Sequence, residues 1–147
     1  MVNDVLYGIS NALYAEFDGI SVYTDTVEQG LSEPCFFVMP IAINEQTLLN
    51  RRAYRNISFD IHYISKQSRL QLEELASKLY PLLRRVTLLD GSQLNGTNLR
   101  HEIYDGVLHF FVDFKPVVLY PAETVPNMAD AAIKVGIKNE EKDASGN

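Results

Sequence analysis

The feature that most constrains the fold is a long run of strict alternation, YRNISFDIHYIS, from Tyr54 to Ser65. Every second side chain in it is large and apolar: Ile57, Phe59, Ile61 and Tyr63. The residues between them, Asp60 and His62 included, are polar. A period of two predicts a β-strand with one face buried and the other in solvent or at an interface.

Two segments have the three- and four-residue apolar spacing of amphipathic helices. The first runs from Val2 to Phe17, and the second runs from about Arg69 into the low eighties. Pro81 removes a backbone donor near the end of the second helix and is expected to kink or tighten its last turn. The candidate capping residues are Asn3 or Asp4 for the first helix and the capping-box pair Ser68 and Gln71 for the second.

Other segments predict further strands and a loop. ISVYTD, Ile20 to Asp25, alternates as a half-buried strand does. Cys35 to Val38 is apolar on both faces, which predicts a strand covered on both sides, and Pro40 marks either a bulge or the end of pairing. NEQTLLNRR, Asn44 to Arg52, is longer than a tight hairpin needs and mixes leucines with arginines. We expect it to be a projecting loop.

A β-hairpin is predicted in RHEIYDGVLHFFVDF, centred on Asp105-Gly106, because both residues tolerate the positive φ of a type I′ turn. Counting outward from the turn places Glu102 opposite His109 and places His101 on the other face, among apolar side chains. His101 and His109 therefore cannot share one metal ion, whose ligands lie at about 2 Å. The dipeptides Asp90-Gly91 and Asn95-Gly96 predict two further turns upstream.

No reactive group stands out among the candidate residues. Asp60 and His62 share a strand face and can offer two metal ligands, but polar residues at alternate strand positions are typical of a solvated or interface face. Glu102 and His109 are interpreted as a structural cross-strand pair, and His101 as a core or interface histidine satisfied by backbone groups. The sequence has no phosphate-binding loop, nucleophile elbow or zinc signature. We expect no enzyme, no catalytic residue, no metal and no cofactor.

Length and charge narrow the class of protein. A chain of 147 residues suits one domain, and a net charge of -6 argues against nucleic-acid binding by general electrostatics. There is no signal peptide or membrane-spanning run, and the single cysteine, Cys35, fits a reducing compartment, so a soluble intracellular protein is expected. From Pro121 the chain loses aromatics and gains small and charged residues. We expect a domain over residues 1–120 and a polar extension over 121–147 that is ordered mainly by partners.

The order of elements and four phrases, EPCFFV, RRAYRNISFDIHY, LASKLYPLL and GTNLRHEIYDGVLHFFVDF, resemble the tail terminator family of tailed bacteriophages and of phage-like particles of Gram-positive hosts. The similarity runs from the first helix to about Tyr120. It implies an α+β fold: a mixed or antiparallel sheet of about four to five strands flanked by two helices, with a long C-terminal β-hairpin and an extended tail.

The resemblance also implies a structural role. Family members are expected to form a homohexameric ring that caps the head-proximal end of the tail tube, ends tube polymerisation and offers a docking face to the head or neck. The implied partners are other copies of the chain, the tail tube protein, a neck or head-completion protein and, in a contractile particle, the sheath. DNA would pass through the lumen without specific binding, and the protein would reside in the virion tail, or in the host cytoplasm during assembly.

Interface residues are expected in the Asn44–Arg52 loop, the hairpin and the C-terminal extension, because a monomer gives these features little to do. They are Leu48, Leu49, Asn50, Arg51, Arg52, Glu102, Asp105, Gly106, His109, Pro121, Val125, Met128, Ile133 and Val135. Three alternatives remain open: a neck or head-completion connector, a small cytosolic adaptor, and a metal-dependent hydrolase that uses Asp60, His62 or the Glu102–His109 pair.

Overall fold

The structure is a computed structural model that describes residues 1–24 and 32–122. These residues form two helices and seven strands. In chain order they are α1 (Val2–Glu16), β1 (Ser21–Tyr23), β2 (Cys35–Thr47), β3 (Arg52–Ile64), α2 (Arg69–Leu83), β4 (Arg85–Thr87), β5 (Gln93–Tyr104), β6 (Val107–Phe114) and β7 (Val117–Leu119).

The strands form one sheet in the order β1-β2-β3-β6-β5-β4, and β7 pairs with β3 beyond the end of β6. β1 is parallel to β2 and all other neighbours are antiparallel. This confirms the predicted α+β fold with a mixed sheet and two helices. The strand number is higher than the four to five expected, because β4 and β7 have only three residues each and so carry no readable alternation.

Both helices pack on one face of the sheet and form a single apolar core with it. The alternation predicted for β3 is confirmed, since its four apolar residues are buried. Burying side chains of this size stabilises the fold by about 1.5–3 kcal/mol each. The core residues from the other elements are Val5, Ile9 and Leu13 of α1, Leu72, Ala76, Leu79 and Leu83 of α2, Phe36 and Val38 of β2, Val86 of β4, and Leu108, Phe110, Val112 and Phe114 of β6.

The two helices begin differently. At α2 the predicted capping box is confirmed: the Gln71 amide donates to the Ser68 hydroxyl at 3.3 Å, and the Ser68 amide donates to the Gln71 side chain at 2.9 Å. At α1 the predicted cap is wrong. The helix begins at Val2, so Asn3 and Asp4 lie inside its first turn, and the N-cap is Met1, which makes no side-chain cap. Asp4 pairs instead with the terminal amino group at 3.2 Å.

The predicted loop from Asn44 to Arg52 is wrong in its extent. β2 continues to Thr47 and β3 starts at Arg52, so the turn comprises only Leu48–Arg51. Neither face of the sheet is covered by helices at this point, and the strand residues there are polar on both faces and lack the alternation that identifies a strand. The register shift between Pro40 and Ala42 confirms the predicted bulge, and pairing continues past it.

The predicted turn at Asn95-Gly96 is also wrong, because both residues belong to β5. Gly96 is required for a close approach: an added Cβ would collide with the carbonyl oxygen of Leu83 at the end of α2. The Gly96 amide donates to the Arg84 carbonyl at 2.7 Å in the same place. The turn predicted at Asp90-Gly91 is confirmed, and Pro81 lies within α2, which continues for two further residues.

The β5–β6 hairpin has the predicted turn and pairing. Asp105 and Gly106 have φ values of 53° and 76°, and Glu102 is opposite His109. The ladder is regular as far as Arg100, after which a register shift intervenes at Asn98, whose φ is 53°. The counted faces are therefore correct over the part of the hairpin that carries the two histidines.

Candidate functional site

The β2–β3 hairpin extends beyond the helix-covered sheet as an arm, which we define as residues 40–55 together with β7. Burial changes sharply where the arm begins. Cys35–Val38 are buried, whereas Ile41 and Ile43 are 49% and 51% exposed. β7 pairs with Arg52–Tyr54 next to the turn, so the chain after β6 runs along the arm toward its tip.

The arm has an unpaired edge and exposed apolar side chains. β1 pairs only with Cys35–Phe37, so the outer edge of residues 38–47 has no strand partner in the part of the chain that the structure describes. Unpaired backbone groups on a strand edge are a template for pairing with another chain. The exposed apolar residues of the arm are Ile41, Ile43, Leu49, Tyr54, Val117 and Leu119, and exposed Tyr120 follows directly after β7.

A side-chain cluster, here called the clasp, ties the C-terminal segment to the arm and consists of Glu45, Arg55 and Tyr120. The Tyr120 hydroxyl donates to the Glu45 carboxylate at 2.7 and 2.8 Å, and the Arg55 guanidinium donates to Glu45 at 2.8 Å and to the Tyr120 hydroxyl at 3.1 Å. The hydrogen bond from the Tyr120 hydroxyl, and to a smaller extent the one from Arg55, holds the pKa of the Glu45 carboxyl below its ordinary value. The clasp holds the segment after β7 against β2 and β3 by polar contacts rather than by burial.

The clasp was not predicted from the sequence. Glu45 lies on β2, Arg55 lies on β3 and Tyr120 follows β7, so Tyr120 is 75 residues from Glu45 in the chain. The register of β2 and β3 places Glu45 opposite Arg55, but that register becomes known only when the short turn at Leu48–Arg51 is recognised. The one indication in the sequence is that an aromatic residue, Tyr120, stands at the end of the domain predicted over residues 1–120.

The predicted loop residues lie at the tip of the arm. Asn50 and Arg51 occupy the turn with φ values of 60° and 62°, and Leu49 is 85% exposed. Arg51 is engaged within the chain, since its guanidinium donates to the Tyr120 carbonyl at 3.0 Å and its carbonyl accepts from the Tyr120 amide at 2.8 Å. Arg52 is exposed. The two arginines thus differ: one holds the C-terminal segment, and the other faces solvent.

The sheet face opposite the helices carries a polar cluster of Asp60, His62 and His109. One oxygen of Asp60 lies 2.8 Å from Nε2 of His62 and 3.3 Å from Nδ1 of His109. β3 and β6 are neighbours with His62 opposite His109, and the two rings are 4.3 Å apart in an edge-to-face arrangement. The sequence placed His109 only against Glu102 and did not bring it to Asp60, because pairing between strands so far apart in the chain has no local signal.

His101 lies on the helix-covered face, as predicted, but its partners are not backbone groups. Its Nδ1 lies 2.7 Å from the Tyr80 hydroxyl and its Nε2 lies 2.8 Å from the Glu73 carboxylate. Both partners belong to α2, and burial raises the pKa of Tyr80. These two side-chain contacts link α2 to β5, which supports a structural role for His101.

The remaining predicted interface residues divide into two groups. Glu102, Asp105, Gly106 and Pro121 are exposed on the structure, so they are available for contacts. Val125, Met128, Ile133 and Val135 lie outside the described residues. The structure tests none of these positions as contacts, and they remain predictions.

A polar groove runs along the arm on the face opposite the helices. Its lining residues are Asn44, Gln46, Tyr54, Asn56, Asp113 and Lys115. Two acceptor atoms among them, Oδ1 of Asn56 and Oδ1 of Asp113, are buried and have no hydrogen-bond partner in the structure. Buried acceptors are normally satisfied by protein groups or by ordered water.

The sequence and the structure agree with one known family. A sequence model described as phage tail terminator protein matches residues 4–126. None of the curated proteins matches the chain. Among the helices that the structure describes, none has the length and apolar character needed to cross a membrane.

Proposed function

Because the chain belongs to the phage tail terminator family, we propose that it forms a homohexameric ring that caps the head-proximal end of a tail tube. Membership gives the protein a structural role in phage tail assembly and a place in the virion tail. The proposal adds that the ring stops tube polymerisation and presents a docking face to the head or neck.

The arm is the observation that carries this proposal. An edge strand with exposed isoleucines promotes aggregation of a monomer. In an oligomer a neighbouring chain can add a strand to the same edge and bury these side chains. We assign the outer edge of residues 38–47 to contact with a neighbouring copy. Leu48–Arg52 at the tip would then reach the tube protein or the next subunit.

The polar groove supports contact on a second face of the arm. Its polar lining, which includes Asn56 and Asp113, can exchange hydrogen bonds with an adjacent subunit, and in a ring every copy makes the same contact. Lys115 in the same groove offers a cation for an acidic group of the neighbour. We assign the groove and the free edge to the two different patches that meet between neighbouring copies in a closed ring.

The charge of the chain suits the proposed lumen. With a net charge of -6, the protein has no general surplus of cations to hold phosphates. DNA must move through such a ring when it leaves the head through the tail, and strong binding would impede it. We therefore propose that DNA passes without specific contact.

The C-terminal extension is proposed to bind partners after assembly begins. The chain reaches Ala122 beside the arm tip, because Tyr120 is hydrogen-bonded to Arg51 in the turn. Residues 121–147, with Pro121, Val125, Met128, Ile133 and Val135, would contact adjacent subunits, the neck or, in a contractile particle, the sheath.

The test is the mass of the purified protein alone and with its tube protein, by light scattering, with negative-stain microscopy of tube ends. We expect hexameric rings, or monomers that become rings on tubes. Ile43→Glu, which places a charge on the free edge, should abolish rings without lowering the melting temperature. Leu70→Glu is the matched control, because Leu70 is 79% exposed on α2, away from the arm.

The outcomes separate the alternatives. Rings that bind the head side and ignore tubes would favour a neck or head-completion connector. A monomer indifferent to tubes would overturn the ring proposal and leave an adaptor that shares the fold. Loss of rings in Leu70→Glu but not in Ile43→Glu would move the interface from the arm to α2.

A further inference from the structure

The Asp60, His62 and His109 cluster has the composition of a transition-metal site. Asp60 and His62 are two residues apart on β3, and His109 is opposite His62 on β6. One ligand atom from each residue lies within 4.8 Å of the other two. Two imidazoles and one carboxylate are a ligand set that binds Zn²⁺ and related divalent ions.

The spacing of these atoms is close to that of a bound set. Ligands at about 2.0–2.1 Å from a tetrahedral zinc ion lie about 3.3 Å from each other. The Asp60 oxygen is 3.3 Å from Nδ1 of His109 and 2.8 Å from Nε2 of His62.

The burial of Asp60 is an independent indication of a ligand. This residue is 8% exposed, and its second oxygen, Oδ1, is buried without a hydrogen-bond partner in the structure. Within the described residues no lysine or arginine nitrogen lies within 4 Å of the carboxylate. A buried carboxylate is costly unless a cation accompanies it, and an ion held through the oxygen that faces the two histidines would supply that charge.

We propose that Asp60, His62 and His109 bind one divalent transition-metal ion, best matched by Zn²⁺, which joins the two central strands β3 and β6. The ion leaves a fourth position open to water or to a group from another copy. Glu102, which is opposite His109 on the same face, adds negative charge beside the site. This departs from the expectation of no metal, which rested on the opposed faces of His101 and His109 and lacked the pairing of β3 with β6.

The experiment uses the full chain without an affinity tag, treated with a chelator and then titrated with Zn²⁺ by calorimetry. We expect one ion per chain and a rise of about 5 °C or more in melting temperature at saturating Zn²⁺. Titration with Co²⁺ should give the visible absorption of a tetrahedral ion with nitrogen and oxygen ligands. Absence of binding at this stoichiometry in the wild-type chain would overturn the proposal without reference to any variant.

Variants then locate the ion. His62→Gln with His109→Gln should weaken Zn²⁺ binding by at least about 100-fold, and Asp60→Asn, nearly the same in shape, should also weaken it and remove the Co²⁺ spectrum. His101→Gln is the matched control, since it also removes a histidine but from the opposite face, and it should keep full binding. Equal binding by the double variant and the wild type would place the ion elsewhere and overturn the assignment.

Discussion

The strands β2 and β3 pass through two environments, and the contrast between them separates folding from assembly. In the base, which we define as residues 35–39 and 56–64, helices cover one face and the apolar side chains are buried. In the arm the same two strands stay paired beyond the bulge after Pro40, but most of their side chains, unlike that of Ala53, are exposed.

Different forces hold the two regions. The base is stabilised by removal of apolar surface from water, at about 25 cal/mol per Å². The arm relies on backbone pairing and on the clasp of Glu45, Arg55 and Tyr120. A strand pair without a covered face is marginal by itself in water, so the arm depends on the base for its shape. The base therefore determines the fold, and the proposed contacts of the arm can change without disturbing it.

The largest expected effect is in the base. Phe59→Ala removes a ring that is fully buried against Phe114 and should lower the free energy of unfolding by about 3–5 kcal/mol. Ile43→Ala in the arm is the matched substitution, and it should change the free energy of unfolding by no more than about 0.5 kcal/mol. Urea unfolding of both variants measures this. Similar losses would erase the distinction between base and arm.

Removal of the extension should affect assembly and leave stability intact. A chain that ends at Ala122 keeps β7 and the clasp and should melt as the full chain does, while particle assembly falls. A chain that ends at Leu119 lacks Tyr120 as well and should have a lower melting temperature, because the clasp is broken. Melting curves and particle counts by microscopy give both quantities. Full particle yield with the Ala122 chain would show that the extension is dispensable.

The two arginines at the tip sharpen the contrast within the arm. Arg52→Glu changes only an exposed charge, so it should impair capping of tubes without changing the melting temperature. Arg51→Glu also removes the hydrogen bond to the Tyr120 carbonyl and should lower the melting temperature slightly. Tube-end occupancy by microscopy and melting by circular dichroism distinguish the two effects. Normal capping by Arg52→Glu would exclude the tip as a contact.

The smallest expected effect is a pH dependence of the clasp. Hydrogen bonds from Tyr120 and then Arg55 lower the folded-state pKa of Glu45, so Glu45 stabilises the folded state above its unfolded pKa. That contribution is lost as the pH falls through the folded-state pKa. Tyr120→Phe removes the first cause, so its melting temperature should fall below that of the wild type near about pH 7, and the two should converge as the pH falls through the folded-state pKa of Glu45. A constant difference would indicate that packing of the ring, not the Glu45 charge, sets the effect.

The sequence was informative where one face of an element is buried. β3, α2 and the β5–β6 hairpin were predicted because burial on one side imposes a period, and the Asp105-Gly106 turn has a local backbone requirement. The part of the arm from Asn44 to Arg52 was predicted as a loop because exposure on both faces removes that period. Gly96 was predicted as a turn residue because its actual cause, the neighbouring end of α2, is a tertiary contact.

The side-chain clusters were harder to predict from the sequence than the fold. Tyr80 and Glu73 are seven residues apart, which places them on one face of α2, yet nothing local pairs that face with His101. The cluster of Asp60, His62 and His109 depends on β6 lying beside β3, with α2, β4 and β5 between them in the chain. Such pairing is set by the packing of the whole domain. The local sequence around a histidine on an alternating strand does not indicate which strand will lie beside it.

The position of β7 has a consequence for affinity. Because β7 runs toward the tip and Tyr120 is hydrogen-bonded to the turn, the described chain reaches Ala122 beside the tip of the arm, where the extension begins. A partner that contacts both is held by two sites on a very short tether, so binding at one raises the effective concentration of the other. Two weak contacts then suffice for a long-lived complex, and release of either one is quickly followed by rebinding.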